Sequence, residues 1–540
     1  MSVDYCIRSN NIFTADECGL ISGCILVSGT KILNVVPLED EALYIDSNTM
    51  IIDALDEFVM PGFIDAHTHF FSGALAYSEH VCCEIENSVS EADCARIIKE
   101  YSDAHPDEKR IRGRGWFVTN WGTDVLPTKE SLDAVISDKP VYLMAADCHS
   151  FWLNSKALRE CGITKDTEVS MGYIAKYEDG EPSGMLLEME ACSIAEKYYS
   201  EFSDDEFKEI YKNFFGYTAS LGITSLSEMI PGEYDEEHFN KYSFIKKMSE
   251  NGECSARLHI FPKLYDTDSF DETADWKKKI DNDYVKISGV KGFIDGVAET
   301  YTALFIDPYS DRPDTAGIGV PAKSAKELND SVLKANMAGF PVRIHAIGDL
   351  AVRMALDAFE LAREKTGRKL ANTIEHIESI DPSDIERFKE LDVIPSMQPI
   401  HIILDLEGKI KKVGEERIKY EWMTKTLLDS CGQIAIGTDY PVVDINPFDN
   451  IYAAVSRKFF DGKEASHNPN EKLSVEETLL GYTKYAARAY SREDEIGMIK
   501  KGMFADIIIL NKNILAAKEN EIRNTKVLMT MVGGKIVYKD

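Results

Sequence analysis

Two histidines separated by one residue, His67 and His69, are the clearest candidates for chemistry in this chain. They follow the short apolar segment Gly62–Ala66, which has the composition of a buried strand. Side chains of an extended chain alternate between two faces, so residues two apart point the same way. Both imidazoles can therefore reach one transition metal ion. Such a pair also arises by chance in long chains, so the other residues must decide between the two interpretations.

Further side chains that can bind metals stand in or at the ends of other predicted strands. Lys291 lies within an apolar strand, while His345, His376 and Asp439 each end one. A single residue of this kind is more often a hydrogen-bonded core residue or a turn residue than a ligand. The chain has only 11 histidines in 540 residues, however, and four of them stand at predicted strand ends. Together with the lysine and the aspartate, they are the residue types of a metallohydrolase site.

The elements that must position these residues are eight short apolar strands that alternate with helical patterns. Such alternation favours a parallel sheet with helices outside it. Eight units predict an α/β fold with a (β/α)8 TIM barrel, in which the active site lies at the carboxyl ends of the strands. The predicted strands are Gly62–Ala66, Ile223–Glu228, Arg257–Phe261, Val290–Asp295, Val342–Ala346, Thr373–Ile377, Val393–Gln398 and Ile434–Asp439.

The connection between the first two predicted strands is far longer than a simple crossover needs. We therefore predict an inserted α/β subdomain after strand one, at about residues 80–215. It has an apolar strand of its own at Val141–Ala145 and a helical pattern at Ser183–Tyr198. The insert would lie over the barrel mouth.

Both ends of the chain have the pattern of short strands broken by turns. Residues 1–60 and 491–540 are therefore predicted to form one small composite β-sandwich, since chain termini often lie close together. Two unrelated flaps are the alternative. The metal-dependent hydrolase barrel then extends over residues 61–490.

The composition excludes several classes of protein. The formal net charge of −32 argues against nucleic acid or an anionic membrane as a partner. No apolar run reaches the about 18 residues of a transmembrane helix, and the N-terminus lacks the pattern of a signal peptide. The 11 cysteines show no Cys-x-x-Cys zinc spacing, and their odd number fits reduced thiols in a cytosol. We therefore expect a cytoplasmic protein.

Ten sequence motifs, spread over nearly the whole chain, surround the candidate residues. They are PGFIDAHTHF (61–70), GRGWFVTNW (113–121), DCHSFWLNSKAL (147–158), GITSLSEM (222–229), VKGFIDG (290–296), IHAIGD (344–349), IEHI (374–377), SMQPIH (396–401), GTDYPV (437–442) and YTKYAARAYSREDEIGMIKKGMFADIIIL (482–510). With these motifs the chain resembles the amidohydrolase superfamily, in the family 3 branch that includes N-substituted formamide deformylase. The motifs are specific for the family and much less so for a substrate.

The resemblance implies a set of metal ligands. His67, His69 and Asp439 would bind the more buried metal, and His345 and His376 would bind a second metal. Lys291 would bridge the two metals as a carbamate, because a protonated lysine cannot act as a ligand. Lys286, five residues upstream, is the alternative lysine, in which case Lys291 would form an ordinary salt bridge. One or two divalent ions are expected; zinc is favoured, and manganese, iron and cobalt fit the same ligands.

The implied reaction is hydrolysis of an amide-type C–N bond, other than a peptide bond, by metal-activated hydroxide. The substrate would be a small molecule such as an N-formyl or N-acyl amine, and Asp439 would transfer the proton to the leaving amine. A deaminase or cyclic-amide hydrolase on the same scaffold is the alternative. A barrel without catalysis, used for binding, is a third hypothesis, although such proteins usually lose ligands and none is missing here. Oligomers are common in this superfamily, so a homo-oligomer is compatible with the sequence.

Four further residues are candidates for substrate contact. His149 resembles a family position that faces the substrate, although it can equally pack inside the insert. Trp116 could form one wall of an apolar pocket, but large aromatic side chains are more often core residues. Gln398 and His401 follow strand seven and could hold the carbonyl or the leaving group.

Overall fold

The computed structural model describes residues 2–123, 125–146, 150–169, 172–187, 189–229, 232–319, 324–403, 406–458 and 466–540. His149, one of the candidate substrate residues, lies outside the described residues.

The described strands are numbered here in chain order. They are β1 (Tyr5–Phe13), β2 (Leu20–Ser28), β3 (Lys31–Val36), β4 (Met50–Asp53), β5 (Phe58–Pro61), β6 (Phe63–Ile64), β7 (Ile111–Trp116), β8 (Val141–Ala145), β9 (Ser150–Leu153), β10 (Tyr173–Lys176), β11 (Pro182–Leu187), β12 (Ile223–Glu228), β13 (Arg257–Ile260), β14 (Val285–Ile287), β15 (Val290–Phe293), β16 (Val342–Ala346), β17 (Thr373–His376), β18 (Ile394–Met397), β19 (Ala435–Ile436), β20 (Ile507–Leu510), β21 (Val527–Val532) and β22 (Lys535–Lys539).

The described α-helices alternate with these strands along much of the chain. They are α1 (Phe70–Tyr77), α2 (Glu91–Ala104), α3 (Lys129–Asp133), α4 (Ser155–Glu160), α5 (Met189–Tyr199), α6 (Asp204–Ser220), α7 (Glu236–Glu250), α8 (Asp271–Ile280), α9 (Ala325–Ala338), α10 (Asp349–Thr366), α11 (Ile385–Leu391), α12 (Leu406–Val413), α13 (Thr424–Cys431), α14 (Pro447–Ser456), α15 (Val475–Leu480) and α16 (Ala486–Ala489).

The chain divides into two compact units. Unit 1 comprises Met1–Phe70 and Phe215–Asp540, and unit 2 comprises Phe71–Phe214. Along the chain, unit 2 is thus one continuous insertion between β6 and β12 of unit 1.

Strands from both ends of the chain share one eight-stranded sheet in unit 1. Its order is β22-β21-β20-β5-β1-β2-β3, and β4 pairs with β1. The contact between the two ends of the chain is made by β5 and β20, which are antiparallel, with Met60 opposite Ile508. Alternate apolar residues such as Ile7, Ile25 and Met531 pack into one core because successive side chains of a strand point to opposite faces.

The remaining strands of unit 1 form two parallel sheets, ordered β14-β13-β12-β6 and β15-β16-β17-β18-β19. A parallel bridge between Lys263 and Lys291 links the two sheets on one side. On the other side, the Ala66 N–H donates to the Ile436 carbonyl at 3.1 Å. All residues of β12, β13 and β16 are buried, as expected for parallel strands covered on both faces. Unit 1 is therefore a mixed α/β fold in which the carboxyl ends of the parallel strands meet at one edge.

Helix boundaries in this region follow local sequence signals. Helix α9 begins with a capping box, in which the Ser324 side chain accepts from the Glu327 N–H and Glu327 accepts in return. It ends at Gly339, whose φ of 89° favours glycine. The capped helix returns the chain to the start of β16, which leads to His345.

Unit 2 contains a five-stranded sheet in the order β10-β11-β9-β8-β7. Strand β8 coincides with the predicted strand Val141–Ala145. The helix predicted at Ser183–Tyr198 is wrong in its first part, because residues 182–187 form β11 and only Met189–Tyr199 is helical. The apolar run Met185–Leu187 pairs with β9, and such pairing, which the local pattern does not reveal, decides between strand and helix.

No helix among the described residues is both long enough and apolar enough to cross a membrane. The cysteines in the described part of the chain are free thiols.

Candidate metal centre

The candidate ligands extend from the carboxyl ends of the parallel strands in unit 1. His67 and His69 lie just after β6, and Asp439 lies just after β19. A parallel bridge between Thr68 and Tyr440 holds these two segments side by side. The His69 Nε2–H donates to Asp439 Oδ1 at 2.8 Å, and His67 Nε2 lies 3.4 Å from the same oxygen. Residues 370 positions apart along the chain thus meet at one point.

His376, at the end of β17, completes a compact cluster with His67 and Asp439. One ligand atom of each of the three residues lies within 4.8 Å of those of the other two. The ring of His345, from β16, lies 4.5 Å from the ring of His376, measured between centroids. All four predicted histidine ligands and the predicted aspartate are therefore brought together.

Two of these candidate ligands have an unusual backbone conformation. His376 has a φ of 73° and Asp439 a φ of 67°. A left-handed conformation is costly for residues with a Cβ atom, and such strain is found preferentially at functional sites. At both residues the positive φ takes the backbone off the extended path of the strand. The side chains that follow therefore do not continue the alternation between the two faces of the sheet.

Lys291 is the sixth predicted ligand, and it lies on β15 with 1% of its surface exposed. Its Nζ has no hydrogen-bond partner among the described residues. Burial lowers the pKa of Lys291 to about 8. Its charge also contributes to lowering the pKa of both His67 and His345, so the lysine stands within electrostatic reach of the cluster. The alternative lysine, Lys286, instead forms an ion pair with Glu495 at 3.2 Å.

The protonation states suit metal binding. Burial lowers the pKa of His67 and of His376 well below the usual value and that of His345 to about 4. These imidazoles are therefore neutral at pH 7 and carry a free lone pair. Burial alone would raise the pKa of Asp439, but the pKa is lowered instead; one cause is the hydrogen bond that His69 donates, and the carboxylate stays ionised.

The donor set fits a divalent metal. His69 Nδ1 and His376 Nδ1 are buried and, within the described chain, have no hydrogen-bond partner. Buried polar atoms without partners are costly, so their presence in one cluster points to a ligand that satisfies them. Neutral imidazole nitrogens and a carboxylate are the ligands that zinc, iron, manganese and cobalt accept.

Two of the predicted substrate residues lie on the loop after β18. Gln398 is 1% exposed, and neither polar atom of its amide has a hydrogen-bond partner in the described regions. His401 donates from Nε2 to the Thr438 carbonyl at 3.3 Å and lies 3.8 Å from Asp439 Oδ2. His401 therefore borders the cluster, and the role of both residues in substrate contact stays a prediction.

Trp116 belongs to unit 2 and is packed in the core of that unit. It is 2% exposed, stacks on Trp121 at 5.8 Å between ring centroids, and donates from Nε1 to the Leu143 carbonyl at 3.0 Å. These contacts are those of a core residue, and its proposed part in a substrate pocket stays a prediction.

Sequence reasoning missed the buried charged residues that support the candidate ligands. Asp65 accepts hydrogen bonds from the N–H groups of His67 and Thr438, and Asp295 accepts from those of Leu304, Ile347 and Gly348. The sequence does contain a hint of these two aspartates, because each ends the same tripeptide, Phe-Ile-Asp, at residues 63–65 and 293–295. The carboxylates cross-link neighbouring strand ends, since one acceptor can hold several backbone donors.

Glu375 and Arg343 were missed as well. Glu375 Oε2 accepts from His67 Nδ1 at 2.7 Å, and Glu375 Oε1 accepts from Arg343 Nε at 2.6 Å. The position of Glu375 directly before His376 offered a hint, but its partner lies 308 residues away in the chain.

Comparison with known proteins agrees with this geometry. The profile of the amidohydrolase family matches residues 50–538. The chain belongs to the amidohydrolase family. It is 29% identical to Protein LONG AFTER FAR-RED 3 of Arabidopsis thaliana, over 99% of this chain and 91% of that protein. It is 24% identical to N-substituted formamide deformylase of Arthrobacter pascens, over 99% of this chain and 98% of that enzyme.

Among solved structures, the chain is similar to that of an uncharacterized metal-dependent hydrolase from Pyrococcus horikoshii. It superposes with a TM-score of 0.77 at 26% identity, over 96% of this chain and 99% of that one. The predicted resemblance to the amidohydrolase superfamily is thereby confirmed. Family membership and this neighbour support a hydrolase that uses a divalent metal.

Proposed function

We propose that the chain is an amidohydrolase that cleaves an amide-type C–N bond, other than a peptide bond, in a small molecule. An N-formyl or N-acyl amine is the substrate class we favour, since one relative is a formamide deformylase. The observation that carries the proposal is the buried cluster of His67, His376 and Asp439, with His69, His345 and Lys291 around it. The net charge of −32 supports a small molecule rather than a nucleic acid as the partner.

The parallel strands would form one (β/α)8 barrel, in which the consecutive short strands β14 and β15 count as one of the eight. The bridge between Lys263 and Lys291 and the hydrogen bond from Ala66 to Ile436 support this, because they join the two parallel sheets at both sides. In such a barrel the carboxyl ends of all strands surround one mouth.

His67, His69, His345, His376 and Asp439 would hold one or two divalent ions, with zinc favoured. A bound divalent ion supplies a Lewis acid that polarises the scissile carbonyl and lowers the pKa of water from 15.7 to about 7. Asp439 would accept the proton that the attacking water loses and return it to the leaving nitrogen. Its depressed pKa keeps it ionised and ready to accept.

Lys291 would act as a carbamate. Its unprotonated Nζ adds to the carbon of carbon dioxide and loses a proton, which yields an anion with two donor oxygens. The lowered pKa of about 8 makes the unprotonated amine accessible near neutral pH. Conversion to an anion also removes a buried ammonium that has no hydrogen-bond partner in the described structure, a state that is costly in a protein interior.

The test is a screen of N-formyl and N-acyl amines with the zinc-loaded and the manganese-loaded protein. We expect amine release that stops when the metal is removed with a chelator and returns when metal is added. Asp439→Asn should abolish turnover, by a factor of at least about 10², while zinc content and folding are measured in parallel. Full turnover in metal-loaded Asp439→Asn would remove this residue from the mechanism.

A second variant tests the carbamate. Lys291→Ala should lose activity, and a short carboxylic acid added to the solution should restore part of it by replacing the anionic bridge. Lys286→Ala is the matched control, because it removes a nearby lysine that pairs with Glu495 instead. A protein that binds no metal in any preparation would favour a binding function without catalysis.

A further inference from the structure

The buried carboxylate of Glu375 contacts one of the candidate metal ligands, His67. Glu375 Oε2 lies 2.7 Å from His67 Nδ1, and Glu375 Oε1 lies 2.6 Å from Arg343 Nε. Glu375 and Arg343 are fully buried, and His67 is 1% exposed. Arg343 is a permanent cation, so the buried pair that it forms with Glu375 keeps the carboxylate ionised.

The proton positions follow from this contact. An ionised carboxylate can only accept hydrogen bonds, so His67 must carry its proton on Nδ1. A metal-binding imidazole is neutral and holds one proton, so with that proton on Nδ1 the other nitrogen, Nε2, carries the lone pair. That lone pair lies 3.4 Å from Asp439 Oδ1, which is an acceptor too. Two acceptor atoms facing each other without a proton between them are suited to share a cation.

Arg343 holds the carboxylate in place from the other side. Its Nη2 donates to the Ala66 carbonyl at 2.9 Å and to Ser396 Oγ at 3.2 Å. Ala66 directly precedes His67. The Arg343 guanidinium therefore binds both the backbone next to His67 and the Glu375 carboxylate that accepts from the His67 ring. The three contacts join β16, β17, β18 and the segment after β6.

We propose that Glu375, held by Arg343, is a positioning residue that fixes His67 in the Nδ1–H tautomer and turns its Nε2 lone pair towards the metal. The inference rests on the proposed metal-dependent function. Carboxylate partners of this kind typically contribute a factor of about 10 to 100 to metal affinity.

The two roles of Glu375, neutralising Arg343 and orienting His67, can be separated by a pair of double variants. In Arg343→Met/Glu375→Leu both charges disappear, so no unpaired charge remains buried, but His67 loses its acceptor. In Arg343→Met/Glu375→Gln the charges also disappear, while the amide oxygen can still accept from Nδ1. The single change Glu375→Gln is less informative, because Arg343 would compete for that oxygen.

A second buried ion pair supplies the matched control. Arg257 Nε and Asp506 Oδ2 lie 2.7 Å apart, Arg257 Nη2 and Asp506 Oδ1 lie 2.8 Å apart, and the two side chains are 0% and 4% exposed. Neither Arg257 nor Asp506 makes a hydrogen bond to a candidate ligand in the described structure. Arg257→Met/Asp506→Leu therefore measures the effect of removing a buried pair as such.

The experiment measures zinc affinity of the full chain by competition with a chromophoric chelator. We expect the Leu double variant to bind zinc about 10 to 100 times more weakly than the wild type. The Gln double variant and the control should stay close to the wild type. Equal zinc affinity in the Leu and Gln double variants, or an equal loss in the control, would overturn the proposal.

A measurement on the unaltered protein keeps the test independent of folding. The ¹⁵N shifts of the His67 ring in the metal-free wild type, assigned with a His67→Gln variant, should show a protonated Nδ1 and a bare Nε2. The opposite tautomer would overturn the proposal even if every variant misfolds. A wild type with this tautomer that nevertheless binds no metal would instead contradict the proposed function.

Discussion

Replacement of Asp65 by alanine should separate the two strand ends that carry His67 and Asp439. Asp65 is fully buried. Its Oδ1 accepts from the N–H groups of Thr438 at 3.0 Å and of His67 at 3.2 Å, and its Oδ2 accepts from Thr438 Oγ1 at 2.7 Å. One side chain therefore satisfies three donors that belong to two different strand ends.

The size of the effect follows from these three donors. A buried donor left without a partner costs about 1 to 3 kcal/mol, so Asp65→Ala should lower the free energy of unfolding by at least about 3 kcal/mol. Asp65→Asn should lower it far less, because the amide oxygen can accept both N–H groups and the amide nitrogen can donate to Thr438 Oγ1. Burial also raises the pKa of Asp65 to about 7, so the ionised carboxylate is costly and asparagine removes that cost.

The assay is urea unfolding followed by tryptophan fluorescence, with zinc affinity measured on the same preparations. Thr438→Val removes the hydroxyl, which donates to Asp65 Oδ2 and accepts from the Tyr440 N–H at 3.2 Å, and it should cost about 1 to 3 kcal/mol. We expect Asp65→Ala to weaken zinc binding and Asp65→Asn to retain it. If the asparagine and alanine variants lose the same stability, hydrogen bonding by Asp65 does not hold the strand ends together, and the reasoning fails.

Three further predictions concern contacts in both units. Gly437→Ala would place a Cβ 2.5 Å from the His67 backbone nitrogen, so it should cost about 1 to 3 kcal/mol and weaken zinc binding; unchanged zinc affinity would contradict this. Asp506→Ala leaves Arg257 buried and unpaired and should cost about 3 to 5 kcal/mol in urea unfolding, much more than the double change Arg257→Met/Asp506→Leu; equal losses would contradict the pairing. The hydrogen bond from His80 to Glu108 raises the pKa of His80. This partly exposed pair should therefore contribute under about 1 kcal/mol to the free energy of unfolding, fully below about pH 6.5 and no longer once the pH exceeds the pKa of His80 in the folded protein. The unfolding midpoint of Glu108→Gln should lack this pH dependence.

Much of the parallel sheet could be predicted from local sequence. Strands β12 and β16 have the predicted bounds, Ile223–Glu228 and Val342–Ala346. Strands buried on both faces are short continuous apolar runs, and a polar residue such as His345 marks the end of the run. Other strands are shorter than predicted, as in β19, where only Ala435–Ile436 of the predicted Ile434–Asp439 is regular. There the chain leaves the strand early, and Asp439 adopts a positive φ.

The contacts beneath the site could not be predicted in this way. Glu375 lies in an apolar strand, where a charged residue is expected only with a partner. Its partners, His67 and Arg343, come from the segment after β6 and from β16, and no local pattern identifies them. Likewise, the sequence left open whether Trp116 belongs to a pocket or a core, and the packing of unit 2 places it in the core of that unit.

The sequence by itself determined the chemistry available: four histidines, a lysine and an aspartate in or next to predicted parallel strands. This was possible because apolar patterning is local and the carboxyl ends of parallel strands share one edge. Only the tertiary structure decided which atoms meet: Asp439 with His69, Glu375 with His67, and Lys286 with Glu495 rather than with the cluster. The physical reason is that these contacts join residues hundreds of positions apart, and their geometry is set by strand register and side-chain packing, which no segment of the chain determines alone.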